Sequence, residues 1–278
     1  MSFTGFTLRI NYVKFAATNL HFFNLTNAFA PLQFLPAQIH VFDSLPSTND
    51  YLKSICSTTE NTPEGTVIWA LEQTAGRGQH QNQWRSETGK NLTLSILLKP
   101  ASLKAIEAFR LSKTIAVAVL DTVHHFIQKK VSIKWPNDIY VDQSKIAGIL
   151  IENSIQGEFV KQSIIGIGLN INQESFLSEN LPTSILNCSG QEFPLQEVAN
   201  HLLARISKRY LELQLGNFKT VDSNYFQHLY KVHETQVFFI DGEKETCTIK
   251  GIHADGTIEL IVNNQIKTYL HGEALWKI

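Results

Sequence analysis

Between Ile133 and Gly168 the chain places four apolar runs, Ile133–Trp135, Ile139–Val141, Lys145–Glu152 and Phe159–Gly168, with turn residues at Gln143-Ser144 and Asn153–Gly157. Short runs divided by turn formers read as consecutive antiparallel hairpins. Upstream, Ile39–Phe42 is a short strand, Thr66–Leu71 is apolar throughout as a buried strand would be, and Leu92–Leu98 alternates. Helical spacing appears between these runs. Ser47-Thr48-Asn49-Asp50 carries a hydroxyl that can cap free amides, with an acid in the favourable first turn. A long helix is predicted over Leu103–Lys130, with Ile106, Phe109, Ile115, Val119, Val123 and Phe126 on its apolar face. Two more helices fit Leu195–Leu215 and Asn217–Tyr230. The predicted fold class is therefore α+β, a mixed or antiparallel sheet backed by helices.

The tail changes character. Val237–Ile240, Thr246–His253, Thr257–Val262 and Ile266–Leu270 are short strands, with Asp241-Gly242, Asp255-Gly256 and Asn263-Asn264 as tight turns between them. A β-barrel of about 45 residues is too small to stand alone and is expected to dock on the main domain. The predicted domains are residues 37–231 and 232–278, preceded by a loosely ordered extension over 1–36. That extension holds Arg9 and Lys14 as its only charges, and its apolar stretches are broken by Asn and Thr. It lacks the uninterrupted apolar core of an export signal, and no run approaches the roughly 18 apolar residues of a membrane span.

A formal net charge of −1 provides no global field for nucleic acid or an anionic membrane, and neither is expected as a partner. Cys56, Cys188 and Cys247 lie far apart, as reduced thiols of a cytoplasmic protein do, and no metal site is expected. The ten histidines form no ligand-spaced set, and His124-His125 is expected to decorate the long helix.

Four segments could carry chemistry. Glu72-Gln73-Thr74-Ala75-Gly76-Arg77-Gly78, followed by Trp84 and Arg85, leaves a buried strand as a polar, glycine-rich loop. Its glycines allow close backbone approach, and the arginine fork suits an anion, but the spacing is neither a Walker loop nor a dinucleotide fingerprint. Lys134-Trp135-Pro136-Asn137-Asp138 concentrates a cation, an aromatic, an amide and a carboxylate, and also reads as an ordinary Asn-Asp turn. Lys145 opens the apolar strand Ile146-Ala147-Gly148-Ile149-Leu150, as an edge guard or as a cation aimed into a cleft. Gly166-Ile167-Gly168-Leu169-Asn170-Ile171-Asn172 pairs glycines with amides that can read a heterocycle edge.

In this order and combination the segments resemble the biotin–protein ligase family, of the biotin–acetyl-CoA-carboxylase ligase type, over Ile39–Ile278. The resemblance implies a class II synthetase-like catalytic domain with a small C-terminal SH3-like barrel. It implies that Ser47, Thr48, Asn49 and Gln73 hold the biotin ring. Gly76, Arg77 and Gly78 would face biotin's carboxylate and the ATP α-phosphate. Trp84 would cover the ligand, Asn170 would read adenine, and Lys145 would face phosphate. Asn137-Asp138 would form the polar catalytic turn, making Lys145, Arg77 and Asp138 the catalytic set. ATP with Mg²⁺ is the implied cofactor, a biotin carboxyl carrier protein the implied partner, and a homodimer stays open.

The chain departs from many relatives at Gln79-His80-Gln81-Asn82-Gln83, where it has no arginine or lysine, which puts the loop's hold on phosphate in question. Residues 1–36 show no helix-turn-helix, so an enzyme without a repressor role is expected. The nearest rival, a lipoate or octanoate transferase, would share the fold but has no ureido group to satisfy.

Overall fold

The computed structural model describes residues 38–59, 61–79, 82–176 and 182–276. The extension expected over 1–36 lies outside them, as do His80 and Gln81 of the neutral stretch. The chain runs β1 (Gln38–Leu45), α1 (Thr48–Thr58), β2 (Thr66–Gln73), β3 (Leu92–Leu98), a 3₁₀ turn (Ala105–Glu107), α2 (Phe109–Phe126), β4 (Val131–Lys134), β5 (Asp138–Val141), β6 (Ser144–Gln156) and β7 (Phe159–Leu169). It continues through α3 (Ile185–Ser189), α4 (Leu195–Gln214), α5 (Phe218–Gln227), β8 (Thr235–Ile240), β9 (Glu243–Ile252), β10 (Ile258–Val262), β11 (Gln265–Tyr269) and β12 (Ala274–Trp276).

The first seven strands form one sheet in the order β1-β2-β3-β7-β6-β5-β4. Only β1 and β2 pair in parallel; the hairpins β4-β5, β5-β6 and β6-β7 expected from the turn residues are all present. Alternation divides the side chains of β1, β2, β3 and β7 between two cores. In β2, Val67 and Trp69 enter the large core shared with α2 and α4, while Ile68 and Ala70 enter a smaller one beneath α1. Both faces of β2 are thus covered, which is why Thr66–Leu71 reads as unbroken hydrophobicity. The last five strands form an antiparallel sheet, β11-β10-β9-β8-β12, the small SH3-like unit expected at the tail.

Two expectations need correction. The helix predicted over Leu103–Lys130 is shorter: Ala105–Glu107 is a 3₁₀ turn, and α2 spans Phe109–Phe126. Ile106, assigned to the apolar face, is 73% exposed. The cause is a competing set of backbone bonds, since Ala105 N–H donates to the Glu158 carbonyl and Val160 N–H to that of Leu103. These tie the segment to the start of β7 rather than to the helix. His125 also does more than decorate α2. It stacks on His201 of α4 with centroids 4.1 Å apart.

The small sheet docks through buried polar contacts. Lys113 of α2, 1% exposed, donates to Asp222 Oδ1 and to the Ile252 carbonyl, both at 2.7 Å. Trp135 Nε1 donates to the Gly256 carbonyl at 3.0 Å, and the Tyr225 hydroxyl donates to the Pro136 carbonyl at 3.3 Å. Gly256 adopts φ +96°, and a side chain there would press on the Phe109 ring. The Lys134–Asp138 run is therefore braced by α5 and by the β9–β10 turn. Asp222→Ala would leave Lys113 buried with its chief counter-charge gone. The expected loss is about 3 kcal/mol, at the low end for breaking a buried pair, because Asp222 itself is partly wet. Urea unfolding of the variant beside wild type measures it.

The α2–α4 contact yields a pH prediction. Burial, reinforced by His125 and Arg205 and opposed by Asp121, pushes the His201 pKa down to about 4. The unfolded imidazole titrates near about 6.5. With its folded pKa depressed, His201 contributes stability fully above the unfolded pKa, and that contribution drains away as pH falls toward the folded one. Between these limits wild type should lose about 3–6 °C more in Tm than His201→Phe, which keeps a stacked ring without the titration. Parallel melting curves for both proteins would reveal the difference.

Candidate functional site

A cavity of about 290 Å³ opens above the α1 face of the large sheet. Its floor follows from strand register. Thr93 of β3 pairs with Gly168 of β7, and Gly168 pairs with Gly148 of β6, which in turn pairs with Asp138 of β5. One row along, Ser95 pairs with Gly166, and Gly166 with Leu150. Small residues in the middle of paired strands lower the floor where Val or Ile would fill it. A Cβ at Gly166 would lie 2.5 Å from Asn49 Oδ1, and one at Gly168 would collide with the Trp84 indole.

One wall is polar and belongs to α1. Ser47 caps the helix, its hydroxyl accepting from Asp50 N–H at 3.3 Å. The cap brings Thr48 and Asn49 down onto the floor, both 3% exposed. Gln73 Oε1 accepts from Thr48 N–H at 2.8 Å and lies 3.1 Å from the Thr48 hydroxyl. Ser95 Oγ lies 2.7 Å from Thr48 Oγ1 and 2.6 Å from Asn49 Oδ1. Asn49 Nδ2 donates to Glu152 Oε2 at 2.9 Å. The result is a buried network of hydroxyls and amides, each with partners that fix its orientation.

The other wall carries charge. Between β5 and β6 the register slips at Ile139/Tyr140, so Asp138 opposes Gly148 while Tyr140 opposes Lys145. Such a slip re-aims side chains. Here Lys145 Nζ sits 2.7 Å from Asp138 Oδ1 and 5.8 Å from the Trp84 ring centre. Lys134 also lines the cavity; burial lowers its pKa, Lys145 adds to the effect and Asp138 opposes it. The small sheet closes the far side with His271, Ala274, Leu275 and Trp276. A second cavity of about 350 Å³ shares Gln79, Pro136, Asn137, Ile149 and His271 with the first.

Of the residues singled out in the sequence, Ser47, Thr48, Asn49, Gln73, Arg77, Gly78, Trp84, Asn137, Asp138 and Lys145 all line the first cavity. Gly76 and Asn170 do not. Gly76 is structural: its carbonyl accepts from Trp84 N–H at 2.9 Å, and a side chain would strike the Trp84 carbonyl. Asn170 is 3% exposed and donates to the Thr183 carbonyl at 3.0 Å. Arg77 lines the cavity with its Nη2 between two carboxylates, 2.8 Å from Asp50 and 2.7 Å from Glu152. Asn137 ties β5 to β6 by donating to the Ile149 carbonyl at 2.8 Å.

Sequence reasoning passed over Ser95, Glu152 and the wall from the small sheet. Ser95 had a signal, since with Thr93 it places hydroxyls at alternate positions of an otherwise apolar strand. His271 and Trp276 had none, since they arrive from more than a hundred residues away.

Residues 41–170 match the model of the biotin/lipoate A/B protein ligase family. The chain is 35% identical over 165 residues to the bifunctional ligase/repressor BirA of Bacillus spizizenii, covering 58% of this chain and 50% of that protein. It is 29% identical over 240 residues to BirA of Escherichia coli, covering 84% and 73%. The chain thus spans about half the length of the Bacillus relatives it matches. Among solved structures, biotin protein ligase from Aquifex aeolicus in complex with biotin and ATP superposes with a TM-score of 0.72 at 26% identity, over 86% of this chain and 98% of that one. A family match over residues 41–170 and a structural match over 86% of this chain agree that it is similar to the biotin–protein ligases.

Proposed function

We propose that the chain activates biotin with ATP as biotinyl-5'-AMP and transfers the biotinyl group to a lysine of a biotin carboxyl carrier protein. One observation carries this reading: a single cavity joins the Thr48–Asn49–Gln73–Ser95 network to the Lys145–Asp138 pair. Biotin's ureido group offers two N–H donors and one carbonyl acceptor, a pattern that fixed hydroxyls and amides complement. Its carboxylate would then extend toward the charged wall.

In the first step a biotin carboxylate oxygen attacks the ATP α-phosphorus, and pyrophosphate leaves. Lys145 and Arg77 supply positive charge where the phosphoryl oxygens gather it, and catalysis of this kind is mostly positioning and charge stabilisation. Among the described residues no group of three or more His, Cys, Asp or Glu could hold a metal. Mg²⁺ bound with ATP would add further positive charge at its phosphates. In the second step the carrier's lysine amine attacks the acyl carbon, AMP leaves as the C–O bond breaks, and Asp138 orients the amine or accepts its proton.

The catalytic unit is assigned to residues 37–231 and the SH3-like unit to 232–278. Three unpaired cysteines suit the reducing cytoplasm. No helix among the described residues is long and apolar enough to cross a membrane.

The test is pyrophosphate release from ATP with biotin, lipoate or octanoate supplied separately, followed by mass spectrometry of a biotinyl carrier domain. Release with biotin alone and one added biotinyl group support the reading; turnover with lipoate or octanoate instead overturns it. Lys145→Ala should slow biotin-dependent pyrophosphate release by about 10²–10³-fold, the usual scale for losing one charge-stabilising donor, with biotin affinity retained. Gly166→Ala acts on the opposite end. Its new methyl displaces Asn49, so the KM for biotin should rise about tenfold while lipoate and octanoate stay inactive.

A further inference from the structure

Glu152 belongs to none of the sequence segments that suggested chemistry, yet it touches both halves of the site. It lies on β6 two residues beyond Leu150 and pairs with Ile164, which places it on the same face as Gly148 and Leu150. Its Oε2 accepts from Asn49 Nδ2 at 2.9 Å and from Arg77 Nη2 at 2.7 Å. Lys53 approaches its Oε1 at 3.5 Å. Burial pushes the Glu152 carboxyl up, but the Asn49 bond together with Arg77 and Lys53 outweighs that, and it is held below its ordinary range.

Resting on the reading of the cavity as a biotin and ATP site, we infer that Glu152 is a positioning residue that joins the ring pocket to the anion-gripping arginine. Toward the ring, it orients the Asn49 amide. With Nδ2 committed to Glu152, the Asn49 oxygen faces Ser95 and the floor at Gly166, where it serves as an acceptor. Toward the anion, it holds Arg77 in the absence of ligand, in company with Asp50. An arriving phosphate must exchange places with these carboxylates to gain Arg77. Grip on ATP is then a difference between two ion pairs, and the carboxylate side of that difference is set by Glu152.

The two roles separate by substitution. Glu152→Gln keeps an oxygen for Asn49 but removes the charge that holds Arg77. The KM for ATP should fall about threefold, the scale of a partly exposed ion pair, with the KM for biotin unchanged. The fall should shrink as salt is raised, because screening already weakens the competing pair in wild type. Glu152→Ala removes both roles, so the KM for biotin should also rise about tenfold, as expected for losing a hydrogen bond to a charged group. Asp50→Asn, which frees Arg77 without touching Asn49, should lower the KM for ATP and leave that for biotin alone.

Steady-state pyrophosphate release measures all of these in one assay. An unchanged or raised KM for ATP in Glu152→Gln overturns the inference, as does a biotin KM that rises equally in the Gln and Ala variants. Should the Ala variant fail to fold, the Gln and Asn variants still decide the ATP half. A wild-type protein that releases no pyrophosphate with biotin would instead refute the functional reading, before any variant is compared.

Discussion

Side chains are missing where the sheet should be thickest. Ala70, Thr93, Gly168 and Gly148 follow one another across four paired strands, and the row ends on Asp138. In an ordinary sheet beneath a helix, that row would be Val and Ile, and α1 would pack flush against it. Here α1 is held by a smaller apolar cluster to one side, Phe42, Leu45, Leu52, Ile68, Leu97 and Ile164 among others. The helix start overhangs the small row, so the Ser47 cap delivers Thr48 and Asn49 to the edge of an open space. Every other feature of the site depends on that space being kept empty of protein.

Emptiness has to be braced. The charged wall draws Lys134, Asp138 and Lys145 from β4, β5 and β6, near the sheet edge, where a strand would otherwise be free to shift. Tyr225 and the Gly256 turn hold the Pro136 and Trp135 segment from behind, and Lys113 clamps α2, α5 and the end of β9 together. The small sheet is therefore more than an appendage docked for want of its own core. It supplies the brace, and with His271 and Trp276 it supplies a wall.

What was legible in the sequence follows from how local each cause is. The hairpins of β4 to β7 were readable because turn residues and apolar runs alternate over a few residues. The α1 start was readable because a cap needs only Ser47 and its near neighbours. The two ends of α2 were not: its N-cap, Ala108, makes no side-chain bond, and the turn before it answers to Glu158 across the sheet edge. Most of the residues that line the cavity were singled out through family resemblance, each segment being ambiguous alone. Glu152 escaped because an acid near a strand end looks like a solvated edge. Its partners Asn49 and Arg77 lie 103 and 75 residues away.

The cavity's cations meet carboxylates of the protein itself. Lys145 is paired with Asp138, and Arg77 with Asp50 and Glu152, so two of the cavity's strongest cations are already met by carboxylates. A cluster of unmet cations would repel itself and oppose folding, an effect visible in Lys134, whose charged form is disfavoured by burial and by Lys145. Pairing removes that penalty but makes the incoming anion compete. The pairs are partly open to water, where an ion pair is worth little, so exchanging one for another costs little. Pairing thus keeps these cations stable within the fold while leaving them exchangeable.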